Sequence, residues 1–180
     1  MLKKFRIIIL ICILTIIIGR ISYVNRIYPQ VKYCDVKMNE SYMWNESKLC
    51  ISKATVMSSD EAINEYGESI VDGMDDNIDF KLIKINAVVT NDKSAENTVY
   101  LYDLYFENSV YANGIAGEVQ TLTNTDKLDI DLKPYEERNI ELCYIVYENQ
   151  FNKAQWKHFN LADFYISGEY YPIKKRWHLI

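Results

Sequence analysis

Phe80-Lys81-Leu82-Ile83-Lys84-Ile85-Asn86-Ala87-Val88-Val89-Thr90 places Ile83, Ile85, Ala87 and Val89 on one side and Lys84, Asn86 and Thr90 on the other. Successive side chains leave a pleated backbone on opposite faces, so a period of two marks a strand with one face in a core. The stretch predicts a half-buried β-strand, and the same signal recurs around it.

Downstream, residues 138–147 alternate in the same way, with Ile140, Leu142, Tyr144 and Val146 inward. Residues 126–132 set Leu128, Ile130 and Leu132 against Asp129 and Asp131. Lys133-Pro134-Tyr135-Glu136 joins these two runs, with proline at the second position of a turn, which its fixed φ favours. Residues 98–106 place Tyr100, Tyr102, Leu104 and Phe106 on one face. Across the polar turn 91–96 they are expected to pair with Phe80–Thr90. Residues 148–161 read as a short helix or packed loop, and 164–167 and 169–173 as two last strands around Gly168.

Upstream, residues 41–57 read as two short strands about the polar turn Asn45-Glu46-Ser47, and Val31, Tyr33 and Val36 as the start of an edge strand. Ser58 with Glu61 three residues on has capping-box spacing. Ala62, Ile63 and Tyr66 share a helical face, and Gly67 suits a stop. Six to nine short strands and one short helix predict an all-β, antiparallel two-sheet sandwich over residues 41–180.

The N-terminus has a different pattern. Residues 7–18 are apolar apart from Thr15; Lys3, Lys4 and Arg6 precede them, and no acidic residue occurs before Asp35. That is the layout of an export signal. Ile18-Gly19-Arg20-Ile21-Ser22 is a poor small-x-small cleavage site, and Cys12 lies mid-run, out of place for lipidation. Residues 5–24 reach the ~20 needed for a span when Arg6 and Arg20 extend to its two surfaces. Residues 1–24 are therefore read as a retained, single-pass signal anchor with the C-terminal domain extracytoplasmic, since basic residues stay cytoplasmic. Residues 25–40 are read as a tether, interrupted by Tyr28-Pro29.

Of the 20 basic residues four lie in the first 24, whereas all 25 acidic residues lie beyond, leaving the remainder with a formal charge of −9. Such a surface repels phosphate backbones and points away from nucleic acid. Outside the anchor, Cys34, Cys50 and Cys143 include no Cys-x-x-Cys, and His158 and His178 are the only histidines. No zinc site is expected. Cys34 and Cys50 are the candidate disulfide, left open because spacing does not establish bridge geometry; Cys143 is expected as a buried thiol in a strand. Residues 72–79 hold Asp72, Asp75, Asp76, Asn77 and Asp79, but their spacing fails the helix-loop-helix calcium pattern. Asn45-x-Ser47 is a glycosylation triplet that arises often by chance. Lys174-Lys175-Arg176 reads as a basic tail tip: a solvated terminus or, with Trp177 beside it, a contact for wall or membrane anions.

The chain resembles uncharacterised membrane-anchored bacterial proteins with an immunoglobulin-like, telokin-like ectodomain. The resemblance covers residues 42–175. It rests on Ile85-Asn86-Ala87-Val88-Val89-Thr90-Asn91, Leu132-Lys133-Pro134-Tyr135-Glu136-Glu137, Ile140-Glu141-Leu142-Cys143-Tyr144-Ile145-Val146 and Tyr170-Tyr171-Pro172-Ile173-Lys174. Such families show a Leu-x-Pro-Gly turn, where this chain has Tyr135. The resemblance implies a fold and a location, and no catalytic residues, cofactor or metal. No serine elbow, phosphate loop or Cys/His pairing occurs. The expected role is a non-enzymatic surface module for a protein, peptide or cell-wall component. The alternatives are an envelope hydrolase using paired carboxylates and an accessory subunit of a membrane complex.

Overall fold

The computed structural model describes residues 2–72, 78–108, 111–123, 125, 127–161 and 163–179. Helix α1, Leu2–Ile27, is continuous for 26 residues. Its part Arg6–Ile27 is long and apolar enough to cross a membrane. At ~1.5 Å per residue this part measures ~33 Å, close to the ~30 Å of a hydrocarbon layer. Every residue of that part is exposed, so it packs on nothing else among the described residues. The helix runs three residues past the expected boundary at Val24, and the first strand begins at Lys32, inside the expected tether. Four residues, 28–31, remain between them.

The body is a β-sandwich. Its strands are β1 (Lys32–Val36), β2 (Ser41–Trp44), β3 (Ser47–Ser58), β4 (Phe80–Thr90), β5 (Asn97–Tyr100), β6 (Tyr105–Glu107), β7 (Ala112–Asn113), β8 (Asp129–Leu132), β9 (Glu137–Tyr147), β10 (Tyr165–Gly168) and β11 (Ile173–His178). One sheet has the order β1-β11-β10-β6-β7 and the other β2-β3-β4-β9, while β5 and β8 form a separate ribbon. The pairings are antiparallel except β1 with β11, which run parallel. Three short helices join them: α2 (Ser59–Tyr66), α3 (Gly117–Gln120) and α4 (Lys153–Lys157). The sequence anticipated one helix here and left residues 148–161, where α4 forms, as a short helix or packed loop. It anticipated α2 with its cap: Ser58 and Glu61 bond reciprocally, and Gly67 ends the helix at φ +86°.

Strand β4 carries the core. Ile83, Ile85, Ala87 and Val89 pack with Ile140, Leu142, Tyr144 and Val146 of β9 against Phe106, Ile166 and Trp177 of the facing sheet. On its other face, Phe80 and Leu82 join Met57, Cys143 and Ile145 in a second cluster, closed by Ala62, Ile70 and Val119. The helices thus cover the far end of this sheet from outside, and β4 is buried on both faces there.

The expected pairing of Phe80–Thr90 with residues 98–106 does not form. β4 lies between β3 and β9. Residues 98–106 are broken by a 3-10 turn, Leu101–Asp103, which sends β5 to β8 and β6 to β10. The turn also shifts the alternation by one. Val99 and, at its first position, Leu101 are buried, as are Leu104 and Phe106 after it, leaving Tyr100 and Tyr102 outside.

The basic tail tip is likewise not a tail. Lys174, Lys175 and Arg176 belong to β11, which lies between β1 and β10, and Trp177 is fully buried. The strand begins at Ile173, so residues 169–172 are a turn rather than the expected strand.

The free edge of β9 is sealed by side chains. Gln120 accepts from the Cys143 N–H at 3.0 Å and donates to the Glu141 carbonyl at 2.6 Å. Thr125 Oγ1 accepts from the Glu141 N–H and Asn113 Nδ2 donates to the Ile145 carbonyl. An amide side chain here stands in for a neighbouring strand, which satisfies the ladder and removes an exposed edge.

Candidate functional site

The pleat of the five-stranded sheet turns Cys34, Val36, Trp177, Ile166 and Phe106 inward. Cross-strand register therefore gathers the alternate residues on its outer face: Tyr33 beside Lys174, Asp35 and Ser167 beside Arg176, and Tyr165 between His178 and Glu107. Arg176 is the centre. Its guanidinium carbon lies 4.2 Å from the Tyr33 ring centroid and 4.3 Å from that of Tyr165. Asp35 Oδ1 accepts from its Nε at 2.8 Å. A place between two ring faces suits the delocalised guanidinium charge.

Next to it, Glu107 is largely buried and accepts from Ser167 Oγ and Lys174 Nζ, both at 2.6 Å. Lys174 also stands 4.6 Å over the Tyr170 ring. Burial and then the Glu107 carboxylate push the Tyr170 hydroxyl above its ordinary range, so it stays neutral. Tyr165 stacks on His178 at 5.0 Å. His178 Nε2 is 3.5 Å from Asp163 Oδ1 but makes no hydrogen bond. Tyr33, Glu107, Asp163, Tyr165, Lys174 and Arg176 line a shallow concavity of about 450 Å³. Aromatic rings, a guanidinium between two of them and paired charges are the groups enriched where proteins make contacts.

A second groove, of about 600 Å³, runs between α2 and the outer side of β3 and β4, with Lys53, Thr55, Glu61, Asn64, Lys84 and Asn86 in its lining. Most of its charges are engaged. Lys84 pairs with Glu65 and lies 3.3 Å from Glu141, the Tyr66 hydroxyl donates to Glu141 at 2.8 Å, and Glu61 caps α2. Burial pushes the Cys143 thiol, 3.9 Å from the Tyr66 hydroxyl, up to about 12. At neutral pH it is a protonated thiol and a poor nucleophile.

The residues singled out from the sequence are dispersed. Cys34 on β1 and Cys50 on β3 lie in different sheets and are both free thiols, so the candidate bridge is not formed. Cys143 is fully buried in β9. The Asn45 amide nitrogen, which a glycan would need, is buried in the β2–β3 turn. Arg6 and Arg20 are exposed on α1, and the side chains of Lys3 and Lys4 lie outside the described residues. Asp75, Asp76 and Asn77 of the acidic stretch also lie outside them. Among the described residues no group of three His, Cys, Asp or Glu side chains converges on one point. The Arg176 face was missed from the sequence. Its signal was there: Trp177 and Leu179 alternate with Arg176 and His178, a period of two that the triple basic run masks.

Residues 31–175 match the family described as Domain of unknown function (DUF5028). No curated protein matches the sequence. Three solved structures are similar. An uncharacterized beta-sandwich protein from Clostridium difficile 630 shares 10% identity at a TM-score of 0.46, over 84% of this chain and 97% of that one. A conserved hypothetical protein from Bacillus anthracis shares 15% at 0.43, over 72% and 87%. A functionally unknown protein from Listeria monocytogenes EGD-e shares 8% at 0.40, over 71% and 69%.

Proposed function

This chain belongs to the DUF5028 family, and from that premise we propose that it is a membrane-anchored, extracytoplasmic binding module whose contact surface is the outer face of the five-stranded sheet. The observation that carries the reading is Arg176 held between Tyr33 and Tyr165. The few residues that carry most of an interface's binding energy are enriched in Tyr and Arg, which bring large contact area with a polar tip. Here they are already ordered, so little side-chain freedom is lost on contact. The partner is a protein, peptide or cell-wall component.

Helix α1 supports the location. Its exposed apolar surface has no partner among the described residues, and the basic residues Lys3, Lys4 and Arg6 near its start favour a cytoplasmic N-terminus. Two measurements test the reading. Protease added to intact, wall-stripped cells should digest the body; protection until lysis would overturn the location. A photo-crosslinker at position 33 in intact cells should give one reproducible adduct that Arg176→Ala abolishes. An adduct indifferent to Arg176, or none, would overturn the surface.

A further inference from the structure

We infer that the end of the sandwich from which α1 departs is a second contact surface, built to rest in the headgroup region of the same bilayer that holds α1. The inference rests on reading α1 as a retained span. The four residues 28–31 separate α1 from β1. Fully extended they reach ~14 Å. The headgroup layer itself is ~5–8 Å thick on each side. The start of β1 therefore stays within ~9 Å of that layer at most, near enough for side chains around Lys32 to reach it.

Exposed apolar and aromatic side chains lie at this end, alongside the acidic Asp103 and Glu169. β1 and β11 run parallel, so both begin at this end, and Lys32 lies opposite Ile173. The Lys32 N–H donates to the Pro172 carbonyl at 3.2 Å, which fixes the 169–172 turn beside the point where the chain leaves α1. Tyr171 is 51% exposed and Ile173 44%. Tyr170, in the same turn, and Met43 are exposed as well. Lys175 ties the two sheets together here, bonding the Met43 carbonyl at 2.8 Å and pairing with Glu169 at 2.7 Å. Tyr28, also exposed, lies in the link itself. Rings with one apolar side and one polar tip are the residues favoured at a membrane boundary.

The opposite end is built differently. There α2 follows β3, and α4 packs near the start of β4 through the Trp156–Asp79 contact. No large apolar side chain of α2 or α4 is exposed, and α2 presents Asp60, Glu61, Asn64 and Glu65 instead. Exposed aromatic surface is thus present at the end where the tether holds lipid within reach. A body seated this way stands with its strands rising from the membrane. The Arg176 face is then open sideways rather than hidden beneath.

The test uses the full chain in phosphatidylcholine vesicles carrying radiolabelled phosphatidylcholine. The photoreactive residue p-benzoylphenylalanine is placed in turn at positions 171, 173, 60 and 13. Positions 171 and 173 should form lipid adducts several-fold above position 60, with position 13 reporting the span. Adducts at 13 but none above the level of 60 at both 171 and 173 would overturn the docked end while leaving the anchor standing. Adducts at 171 or 173 to a second copy of the chain in place of lipid would overturn it in favour of self-association. No adduct at 13 would overturn the anchor, and the docked end with it.

Discussion

Gly168 and Trp44 share a space that admits no further atom. A Cβ on Gly168 would lie 2.8 Å from Trp44 Cδ1 and 3.2 Å from Leu104 Cδ2, and closer still to the indole nitrogen. Trp44 ends β2 in one sheet and Gly168 ends β10 in the other, so this contact sets the spacing of the sandwich at that end. Trp44 and Leu104 are both fully buried and cannot swing aside. Gly168→Ala should destabilise the body by about 2 kcal/mol, as overpacked cores do. Urea denaturation of residues 28–180 checks this. The fragment is a fair host because residues 6–27 of α1 are all exposed.

Gln120 should matter as much as a core residue. Its amide meets the Cys143 N–H, the Glu141 carbonyl and the Thr125 carbonyl, and is itself buried. Gln120→Ala leaves these groups unpaired, each costing ~1–3 kcal/mol when buried. The expected loss is about 3 kcal/mol. Amide exchange at Cys143 should accelerate, while the Ile85 amide, in the centre of the sheet, exchanges only with global unfolding. Uniform acceleration at both sites would show a general weakening instead of an opened edge.

Tyr135 occupies a turn position with φ +60°. The Lys133 carbonyl accepts from the Glu136 N–H across that turn at 3.1 Å. A left-handed backbone costs a non-glycine residue ~1–2 kcal/mol. The Tyr135 ring is exposed and offers little packing in return. Tyr135→Gly should raise stability by about 0.5–1 kcal/mol, glycine's greater unfolded freedom taking back part of the gain. A fall in the denaturation midpoint would show that the ring has a contact of its own.

Acid should weaken the body through exposed carboxylates. Glu61 is held below its ordinary range by the Ser58 N–H, Glu46 by Lys93, Asp92 by Lys48, and Glu136 by the Lys133 N–H and then Arg138. Each has a folded pKa below its unfolded value, which is ~3.9 for Asp and ~4.3 for Glu. As pH falls, the unfolded chain takes up protons first. The stabilisation is therefore complete above about pH 5 and is lost as pH falls through the folded values. Melting temperature should drop between about pH 5 and pH 3. Glu61→Gln should flatten part of that slope by lowering the neutral plateau slightly, with variant and wild type converging at acid pH.

The thiols should separate by reactivity. Cys34 and Cys50 are half-buried, with the Tyr42 hydroxyl held above its ordinary value by its bond to Cys34. Cys143 is fully buried and pushed up to about 12. In the native 28–180 fragment at neutral pH, maleimide should label Cys34 and Cys50 without prior reduction and reach Cys143 only after denaturation. A mass two units low and blocked to maleimide at 34 and 50 would mean the bridge forms after all.

The sandwich and its principal strands were legible in the sequence because alternation is a local consequence of burying one face. Phe80–Thr90, Glu137–Tyr147, the Ser58–Glu61 cap and the apolar helix each follow from residues adjacent in the chain. Which strands pair was not legible. The 3-10 turn at Leu101–Asp103 redirects β5 and β6 to partners some thirty to sixty residues away, a choice made by packing. The Arg176 face was hidden for the same reason. Tyr33, Arg176 and Tyr165 are remote in sequence, and only a parallel β1–β11 pair beside an antiparallel β10–β11 pair brings them together. Local chemistry determined the elements and the greasy helix. Long-range register, decided by which apolar faces could close on one another, determined what those elements display.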